Sequence, residues 1–325
     1  MQKHIYVYSP SGAVRDKAAF KRGVARLKAL GHRVEIDEAA LASHQRFAGD
    51  DATRLASIHR ACASGADVAL ISRGGYGLTR ILHGIQYKKV ARAIEKGMLF
   101  VGISDFTAFQ SAVLAKTGAT TWAGPALCEG FGVGGQPDEQ HSGDPKVLVP
   151  DDIMEACFDD LICGRGEGAG WRQHHDPKLV NAEFSTKESI LWGGNLSVLT
   201  SLLGTPYFPQ VKSGLLFLED VAEHPYRIER MLTQLLHAGV LGRQKAVIFG
   251  QFTEFSLVPH DRGFGLPAVL SWLRQQIRIP VLTNLPYGHV ATKVVLPVGA
   301  KARLLTEGRD AMLFWGPMGA APVMP

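Results

Sequence analysis

The chain has 325 residues, which is more than one hydrophobic core usually serves, so two domains are expected. Hydrophobic residues make up 46% and charged residues 20% of the sequence, as in an ordinary globular protein. The formal net charge is +5, but lysine and arginine are dispersed, without a basic tail. A small anionic substrate therefore explains the positive charge as well as nucleic acid does, and we expect no nucleic-acid partner.

The N-terminal segment and the cysteines bear on the cellular compartment. Met1–Tyr8 reads as a β-strand and lacks the charged and apolar regions of a secretory signal. No apolar stretch approaches the roughly 18 to 20 residues that span a bilayer. The cysteines lack the C-x-x-C spacing and the clustered histidines of a zinc site, which favours reduced thiols at Cys62, Cys128, Cys157 and Cys163. We expect a cytoplasmic protein with no metal site and no membrane partner.

The first part of the chain alternates strand and helix signals. Phe20, Val24 and Leu27 follow the i, i+4, i+7 spacing of a helix that ends at Gly31. The apolar run Met98–Ile103 is typical of a strand buried on both faces. The other predicted elements are the strands Ile5–Tyr8, Arg33–Ile36 and Asp67–Ile71 and the helices Ala52–Ala63 and Thr79–Glu95. This alternation predicts an α/β domain with a doubly wound, mostly parallel sheet.

The alternation stops near residue 130, where glycine becomes frequent. We therefore place a linker at 136–172, between an α/β domain at 1–135 and a C-terminal domain at 173–325. Apolar runs in the C-terminal part predict the strands Leu215–Leu218, Ala246–Phe252, Val294–Pro297 and Lys301–Leu305 and an amphipathic helix over Ile228–Leu236. The second domain is expected to be strand-rich, either a small barrel or an open mixed sheet.

Ser104 lies between the buried strand that ends near Gly102 and an amphipathic helix. Ligands of open α/β sheets bind at the carboxyl ends of strands, and a helix N-terminus offers N–H groups to a developing negative charge. This is the arrangement of a nucleophile elbow. The usual G-x-S-x-G pattern is not met, because Phe106 replaces the second glycine. A simple helix-capping role for Ser104 or Asp105 therefore stays open.

A glycine-rich loop, Ser72–Gly77, follows the preceding strand. It lacks the G-K-[ST] of a P-loop and the G-x-G-x-x-G of a dinucleotide site. Glycines let backbone N–H groups approach a ligand closely, so the loop is better interpreted as part of an oxyanion hole.

A serine nucleophile needs a base, and the base needs an orienting carboxylate. His289 stands in the rigid turn Leu285–His289 and is either the base or an ordinary turn histidine, and Glu219 and Asp220 follow the apolar strand that ends at Leu218. An acidic residue between a strand and the following helix either has a catalytic role or simply complements the helix dipole. Sequence order does not distinguish these two roles. A second group of candidates, the two histidines and the aspartate at 174–176, is expected to lie in a solvated loop.

Taken together, these segments resemble the LD-carboxypeptidase family, which includes murein tetrapeptide carboxypeptidases and the related microcin C immunity serine peptidases. The matching segments follow one another in the family's order and are Ser72–Gly77, Val101–Thr107, Trp192–Leu196, Leu216–Asp220 and Pro286–His289.

The resemblance implies a serine carboxypeptidase with a Ser104–Glu219–His289 triad and no cofactor. The implied oxyanion donors are the backbone N–H groups of Gly75 and Asp105. The implied reaction releases D-alanine from murein tetrapeptides during peptidoglycan recycling. The triad spans both predicted domains, so the resemblance places the site at their interface.

A carboxypeptidase must recognise a terminal carboxylate, for which arginine is suited through bidentate contacts. A helix-capping role is an equal alternative for Asn195. The substrate-binding candidates are Arg73, Tyr76, Arg80, Asn195, Arg227 and Arg230.

Two alternatives are kept. An immunity-type peptidase would cleave a peptidyl or aminoacyl nucleotide and would need an aromatic platform from Trp122, Trp171, Trp192 or Tyr287. A non-catalytic α/β ligand-binding protein would need no nucleophile. The family tends to dimerise, so a homodimer is expected, and the apolar tail Met318–Pro325 is a possible interface. The choice between diaminopimelate and lysine peptides stays open.

Overall fold

The computed structural model describes residues 1–134, 149–175 and 183–316. The tail at 318–325 and residue 176 of the predicted solvated loop lie outside the described residues. The chain forms two compact units, the first from Met1–Phe106, Trp122–Arg165 and Ala291–Val295, and the second from the remainder. In the part of the chain that the structure describes, no helix has the length and apolar character to cross a membrane.

Five parallel strands form the sheet of the first unit. They are β1 (His4–Tyr8), β2 (Arg33–Ile36), β3 (Val68–Ile71), β4 (Leu99–Gly102) and β5 (Thr121–Ala123). Their order is β5-β4-β3-β1-β2, and every pairing among them is parallel. The predicted doubly wound sheet is confirmed. The carboxyl ends of β1, β3 and β4 are neighbours at one edge of this sheet, where ligands of such sheets bind.

The helices of the N-terminal half largely follow the predicted periodicity. They are α1 (Lys17–Ala29), α2 (Asp51–Ala63), α3 (Leu78–Ile81), α4 (Tyr87–Glu95) and α5 (Phe106–Thr117). The single helix predicted over Thr79–Glu95 is wrong, because a 3₁₀ turn at Leu82–Gly84 and an extended Ile85 separate α3 from α4. Gly84 lies so close to Leu55 that a Cβ would come within 2.6 Å of Leu55 Cδ2.

A further helix, α6 (Asp152–Cys163), lies in the glycine-rich region where no element was predicted. Asp151 caps its first turn by accepting from the Met154 N–H, and Gly164 ends it with a φ of 67°. Its buried side chains follow helical spacing and are Met154, Phe158, Leu161 and Ile162. The capping aspartate was the missed signal.

The second unit is strand-rich, as predicted. Its strands are β6 (Gly168–Arg172), β7 (Glu183–Ser185), β8 (Ser189–Asn195), β9 (Leu215–Val221), β10 (Ala246–Thr253), β11 (Val281–Leu282), β12 (Leu296–Val298), β13 (Lys301–Glu307) and β14 (Asp310–Phe314). Among the described residues, eight of them form a sheet ordered β11-β10-β9-β8-β13-β14-β6, with β7 on β13. Strands β8 to β11 are parallel and the other pairs antiparallel, so this is an open mixed sheet.

Among the described residues, the second unit contains α5 from Thr107 onward and the helices α7 (Leu196–Ser201), α8 (Pro225–His237) and α9 (Leu266–Gln276). The helix α8 contains the predicted stretch, and its buried residues are Pro225, Ile228, Met231, Leu232 and Leu235, whereas Leu236 is only partly buried. Several strand bounds differ from the prediction, and those of β9 and β12 differ most. β9 continues past Leu218 to Val221, and β12 begins at Leu296 instead of Val294. The extension of β9 places Glu219 and Asp220 inside a strand.

Candidate active site

Ser104 stands at the sharp turn between β4 and α5. Its φ is 66°, in the left-handed region that side chains other than glycine rarely adopt. Such strain at a strand-to-helix turn is typical of a nucleophile elbow, where it presents the hydroxyl clear of the sheet. The Asp105 carboxylate binds the Ser11 hydroxyl and the Leu78 N–H, so its partners lie outside α5. The geometry therefore favours the elbow over simple capping of α5.

The glycine-rich loop packs directly against Ser104. A Cβ built on Gly74 would lie 2.5 Å from Ser104 Cβ and 2.7 Å from its Oγ. Gly75 has a φ of 114°, and its Cβ would approach the Gly12 Cα to 3.1 Å. The Gly12 N–H donates to the Gly74 carbonyl oxygen at 3.1 Å. Three chain segments thus converge on the serine only because these positions lack side chains.

If Ser104 is the nucleophile that its elbow predicts, replacing Gly74 with alanine should lower kcat by at least about 100-fold, because the added methyl group displaces the Ser104 side chain. Gly74 has an ordinary φ, so the effect is steric and not conformational. Gly242→Ala is the matched control, since a Cβ there meets open space. We would measure hydrolysis and thermal unfolding of both variants. Wild-type kcat in a folded Gly74→Ala protein would contradict the role of this contact.

In the second unit, the structure brings Glu219 and His289 together. His289 Nδ1 lies 2.8 Å from Glu219 Oε2, and the Glu219 side chain is fully buried while that of His289 is 23% exposed. A carboxylate on Nδ1 orients the imidazole and stabilises its charged form, which makes Nε2 the nitrogen that exchanges protons with a substrate or nucleophile.

The turn that carries His289 is held against β10. The Gln251 N–H donates to the Tyr287 carbonyl oxygen at 2.9 Å, and the Tyr287 ring packs edge-on against Phe217 at 5.4 Å. Gly288 has a φ of 141°, and a Cβ there would lie 3.2 Å from Glu219 Oε2. Glycine at 288 therefore lets the histidine turn approach the carboxylate.

Asn195 lies opposite Glu219 in the parallel pairing of β8 and β9. Its amide nitrogen donates to Glu219 Oε1 at 3.1 Å and to Asp220 Oδ1 at 2.9 Å, while its oxygen accepts from Val198 N–H as the cap of α7. Asn195 is 4% exposed. These contacts show that Asn195 caps α7, as the capping alternative predicts. The same side chain also holds the carboxyl groups of Glu219 and Asp220.

Asp220 was not singled out as a site residue, although it adjoins Glu219. Its carboxylate accepts from Asn195 and from the Ser197 and Val221 N–H groups. Burial and the neighbouring Glu219 charge raise the pKa of Asp220 from 3.8 to about 6.

This raised pKa predicts a pH-dependent stability. The folded protein binds the Asp220 proton more tightly than the unfolded chain, so this contribution to the free energy of unfolding is full below pH 3.8 and is lost as pH rises towards about 6. The difference corresponds to at most about 3 kcal/mol. Asp220→Asn should remove this pH dependence, as measured by urea unfolding from pH 4 to 7.

Asp310→Asn serves as the control for this prediction, because the Asp310 side chain is 70% exposed. If wild type and Asp220→Asn lost stability in parallel over this range, the raised pKa would be contradicted.

Arg73 and Tyr76 lie in the glycine-rich loop of the first unit. The Arg73 side chain is 15% exposed, donates to the Ala13 carbonyl oxygen at 3.2 Å and pairs with Glu129 at 3.4 Å. With Arg15, Arg22 and others it lines a cavity of about 330 Å³. Tyr76 is 48% exposed.

The remaining candidate arginines are surface residues. Arg80 binds Asp51 at 3.0 Å, Arg227 lies 3.6 Å from Glu223, and Arg230 is exposed on α8. The sequence prediction that they contact substrate stays a prediction.

The four aromatic residues considered as nucleobase platforms are at most 9% exposed, and they are Trp122, Trp171, Trp192 and Tyr287. All four cysteines are free thiols. Within the described ranges, no group of three His, Cys, Asp or Glu side chains is placed to hold a metal ion.

The chain matches known proteins along most of its length. The profile of the LD-carboxypeptidase N-terminal domain matches residues 5–124, and that of the C-terminal domain matches residues 188–304. The probable murein peptide carboxypeptidase of Bacillus subtilis is 30% identical over 288 residues, which are 88% of this chain and 84% of that protein. The microcin C7 self-immunity protein MccF of Escherichia coli is 28% identical over 250 residues, which are 73% of this chain and 70% of that protein.

Solved structures agree with these matches. The crystal structure of muramoyltetrapeptide carboxypeptidase from Oxalobacter formigenes superposes with a TM-score of 0.81 and 37% sequence identity, covering 96% of this chain and 98% of that one. The complex of MccF with aspartyl sulfamoyl adenosine shares the fold, with a TM-score of 0.78 at 21% identity over 97% of this chain and 96% of that one. The chain therefore belongs to the LD-carboxypeptidase family, a family of hydrolases.

Proposed function

We propose that this protein is a serine LD-carboxypeptidase that releases terminal D-alanine from murein tetrapeptides. The observation that carries the proposal is the 2.8 Å hydrogen bond between His289 and the buried Glu219, in a chain that also presents Ser104 on a strained elbow. The names of the relatives from Bacillus subtilis and Oxalobacter formigenes support the substrate class.

In the proposed mechanism, His289 Nε2 takes the proton from Ser104 as Oγ attacks the carbonyl carbon before D-alanine. The oxygen of the tetrahedral intermediate accepts from the backbone N–H groups of Gly75 and Asp105. His289 then gives its proton to the leaving amine of D-alanine. Water hydrolyses the acyl-enzyme in a second cycle with the same base. Throughout, Glu219 orients the imidazole and stabilises its charged form.

Recognition of the substrate carboxylates is assigned to arginine. Arg73 is the strongest candidate, because it lies in the glycine-rich loop and lines a cavity together with Arg15 and Arg22. Arg227 and Arg230 are weaker, since both are exposed on α8. For Asn195 we propose a positioning role towards Glu219, because its amide hydrogens and oxygen are already engaged.

The test is release of D-alanine from a tetrapeptide that ends in diaminopimelate–D-alanine, measured with a coupled D-amino-acid oxidase. The same peptide ending in L-alanine is the matched control substrate, with released alanine quantified by chromatography. The lysine-containing tetrapeptide tests the choice of the third residue. An aminoacyl-sulfamoyl nucleotide tests the immunity-type alternative, which the burial of all four aromatic candidates does not favour. Cleavage of the nucleotide alone would overturn the proposal.

We also propose that the enzyme acts in the cytoplasm as a homodimer in peptidoglycan recycling, with the small peptide as its substrate. Free tetrapeptides ending in D-alanine are the material that such a step consumes. Cell fractionation and sedimentation equilibrium test the compartment and the oligomeric state separately.

A further inference from the structure

The Asp105 side chain ties together three loops around Ser104. Asp105 is 1% exposed, and its Oδ2 accepts from the Ser11 hydroxyl and, at 2.9 Å, from the Leu78 N–H. Ser11 lies in the loop after β1, and Leu78 begins α3 directly after the glycine-rich loop. Asp105 itself follows Ser104. One carboxylate therefore joins the loops at the carboxyl ends of β1, β3 and β4.

Arg54 joins two of the same loops, and it does so as a hydrogen-bond donor, whereas Asp105 is an acceptor. Its side chain is fully buried, and Nη1 donates to the Gly77 carbonyl oxygen at 2.8 Å and to the Pro10 carbonyl oxygen at 3.3 Å. Nη2 donates to Asp51, and the guanidinium lies 4.8 Å from the centre of the Phe47 ring. The planar fork of arginine allows these simultaneous bonds, which a lysine would not reproduce.

Burying a carboxylate and a guanidinium is costly, and apolar residues of similar volume often give equal or greater stability. Burial raises the pKa of Asp105, while the hydrogen bonds from Ser11 and Leu78 and the Arg54 charge oppose this rise. The two hydrogen-bond partners of Asp105 named above and two of those of Arg54, the Pro10 and Gly77 carbonyl oxygens, lie in the loops around Ser104 and Gly75. Their placement therefore indicates that the carboxylate and the guanidinium hold these loops in position.

We propose that Arg54 and the side chains of Asp105 and Ser11 form a buried brace that positions the two oxyanion donors, the N–H groups of Gly75 and Asp105. The three are positioning residues, since they act through the loops and do not touch the substrate. The inference rests on the proposed function, in which Ser104 is the nucleophile. A brace of this kind stabilises the transition state more than the bound substrate, because negative charge on this oxygen develops only as the tetrahedral intermediate forms.

The experiment compares Asp105→Asn, which keeps the backbone N–H, with Arg54→Lys, which keeps the charge. We expect kcat for the tetrapeptide to fall between about 10- and 100-fold in each variant, with KM changed less than about 3-fold. The rate of Ser104 labelling by a fluorophosphonate should fall in parallel, because that reaction also develops charge at the oxyanion site.

Asp37→Asn is the matched control. The Asp37 carboxylate is also fully buried and binds Arg60 at 2.7 Å and the Tyr6 hydroxyl at 2.6 Å, away from the loops around Ser104. This variant should lose thermal stability and keep kcat within about 3-fold. If either brace variant does not fold, Ser11→Ala replaces it, with an expected 3- to 10-fold loss in kcat for one hydrogen bond of about 1 kcal/mol.

The outcomes separate the brace from the proposed function. Brace variants that behave like Asp37→Asn, or that raise KM at constant kcat, overturn the brace. Full activity in Ser104→Ala, or no labelling of wild type, overturns the proposed function itself. An inactive Ser104→Ala together with wild-type labelling rates in the brace variants leaves the function standing and refutes only the brace.

Discussion

Ser104→Ala should lower kcat by at least about 10⁴-fold, because it removes the proposed nucleophile and leaves only substrate binding and the proposed oxyanion donors. KM should change little, since the hydroxyl contributes mainly to the transition state. A fluorophosphonate should label wild type at Ser104 and leave this variant unmodified, as read by mass spectrometry of the intact protein. The non-catalytic ligand-binding alternative expects the opposite on both counts.

A second variant at the same position separates chemistry from backbone strain. Ser104 has a φ of 66°, which glycine adopts without the penalty that alanine pays. Ser104→Gly should therefore be as inactive as Ser104→Ala but more stable by about 1 kcal/mol in urea unfolding. Equal stability of the two variants would show that the turn is not strained in solution.

Glu219→Gln should lower kcat by about 10⁴-fold while preserving the fold. The carboxylate accepts from His289 through one oxygen and from the Asn195 amide through the other. The glutamine side chain has the same shape, but its NH₂ group faces one of these two donors, so one hydrogen bond is lost. The neutral amide also no longer stabilises the charged imidazole. Steady-state hydrolysis of the tetrapeptide measures the effect.

The matched control for Glu219→Gln is Glu188→Gln in the same unit, because Glu188 is exposed on the loop before β8. That variant should keep wild-type kcat. A loss in Glu219→Gln of less than about 10-fold would mean that the carboxylate only supports the fold, and the base would have to be sought elsewhere.

Local patterns predicted those elements whose apolar spacing is regular. The helix α8 was expected because Ile228, Met231 and Leu232 share one face, and they are buried. The pattern missed α6, whose apolar face stands between glycine-rich segments. It also joined α3 and α4, since periodicity does not register a single 3₁₀ turn at Leu82–Gly84. A break between two helices inside an amphipathic stretch depends on tight packing, here that of Gly84 against Leu55.

The residue types at the site were also accessible to sequence. Ser104 after a buried strand, the glycines before it and Glu219 after another apolar strand are local features, because strand and turn propensities act over a few residues. The roles of Asp105 and Asp220 side chains were not accessible. Each depends on donors from distant segments, such as Ser11, which lies 94 residues from Asp105.

Local sequence patterns predict a serine on a strand-to-helix turn, with an acid and a histidine available in the second half of the chain. They do not predict that Glu219 and His289, 70 residues apart, lie 2.8 Å from each other or that Asn195 supports the pair. The reason is that the parallel register of β8 and β9 places Asn195 beside Glu219, while His289 reaches Glu219 because its turn is hydrogen-bonded to β10, the strand that pairs with β9. Hydrophobic periodicity specifies which face of a strand is buried, but it does not specify which residue of another strand lies opposite.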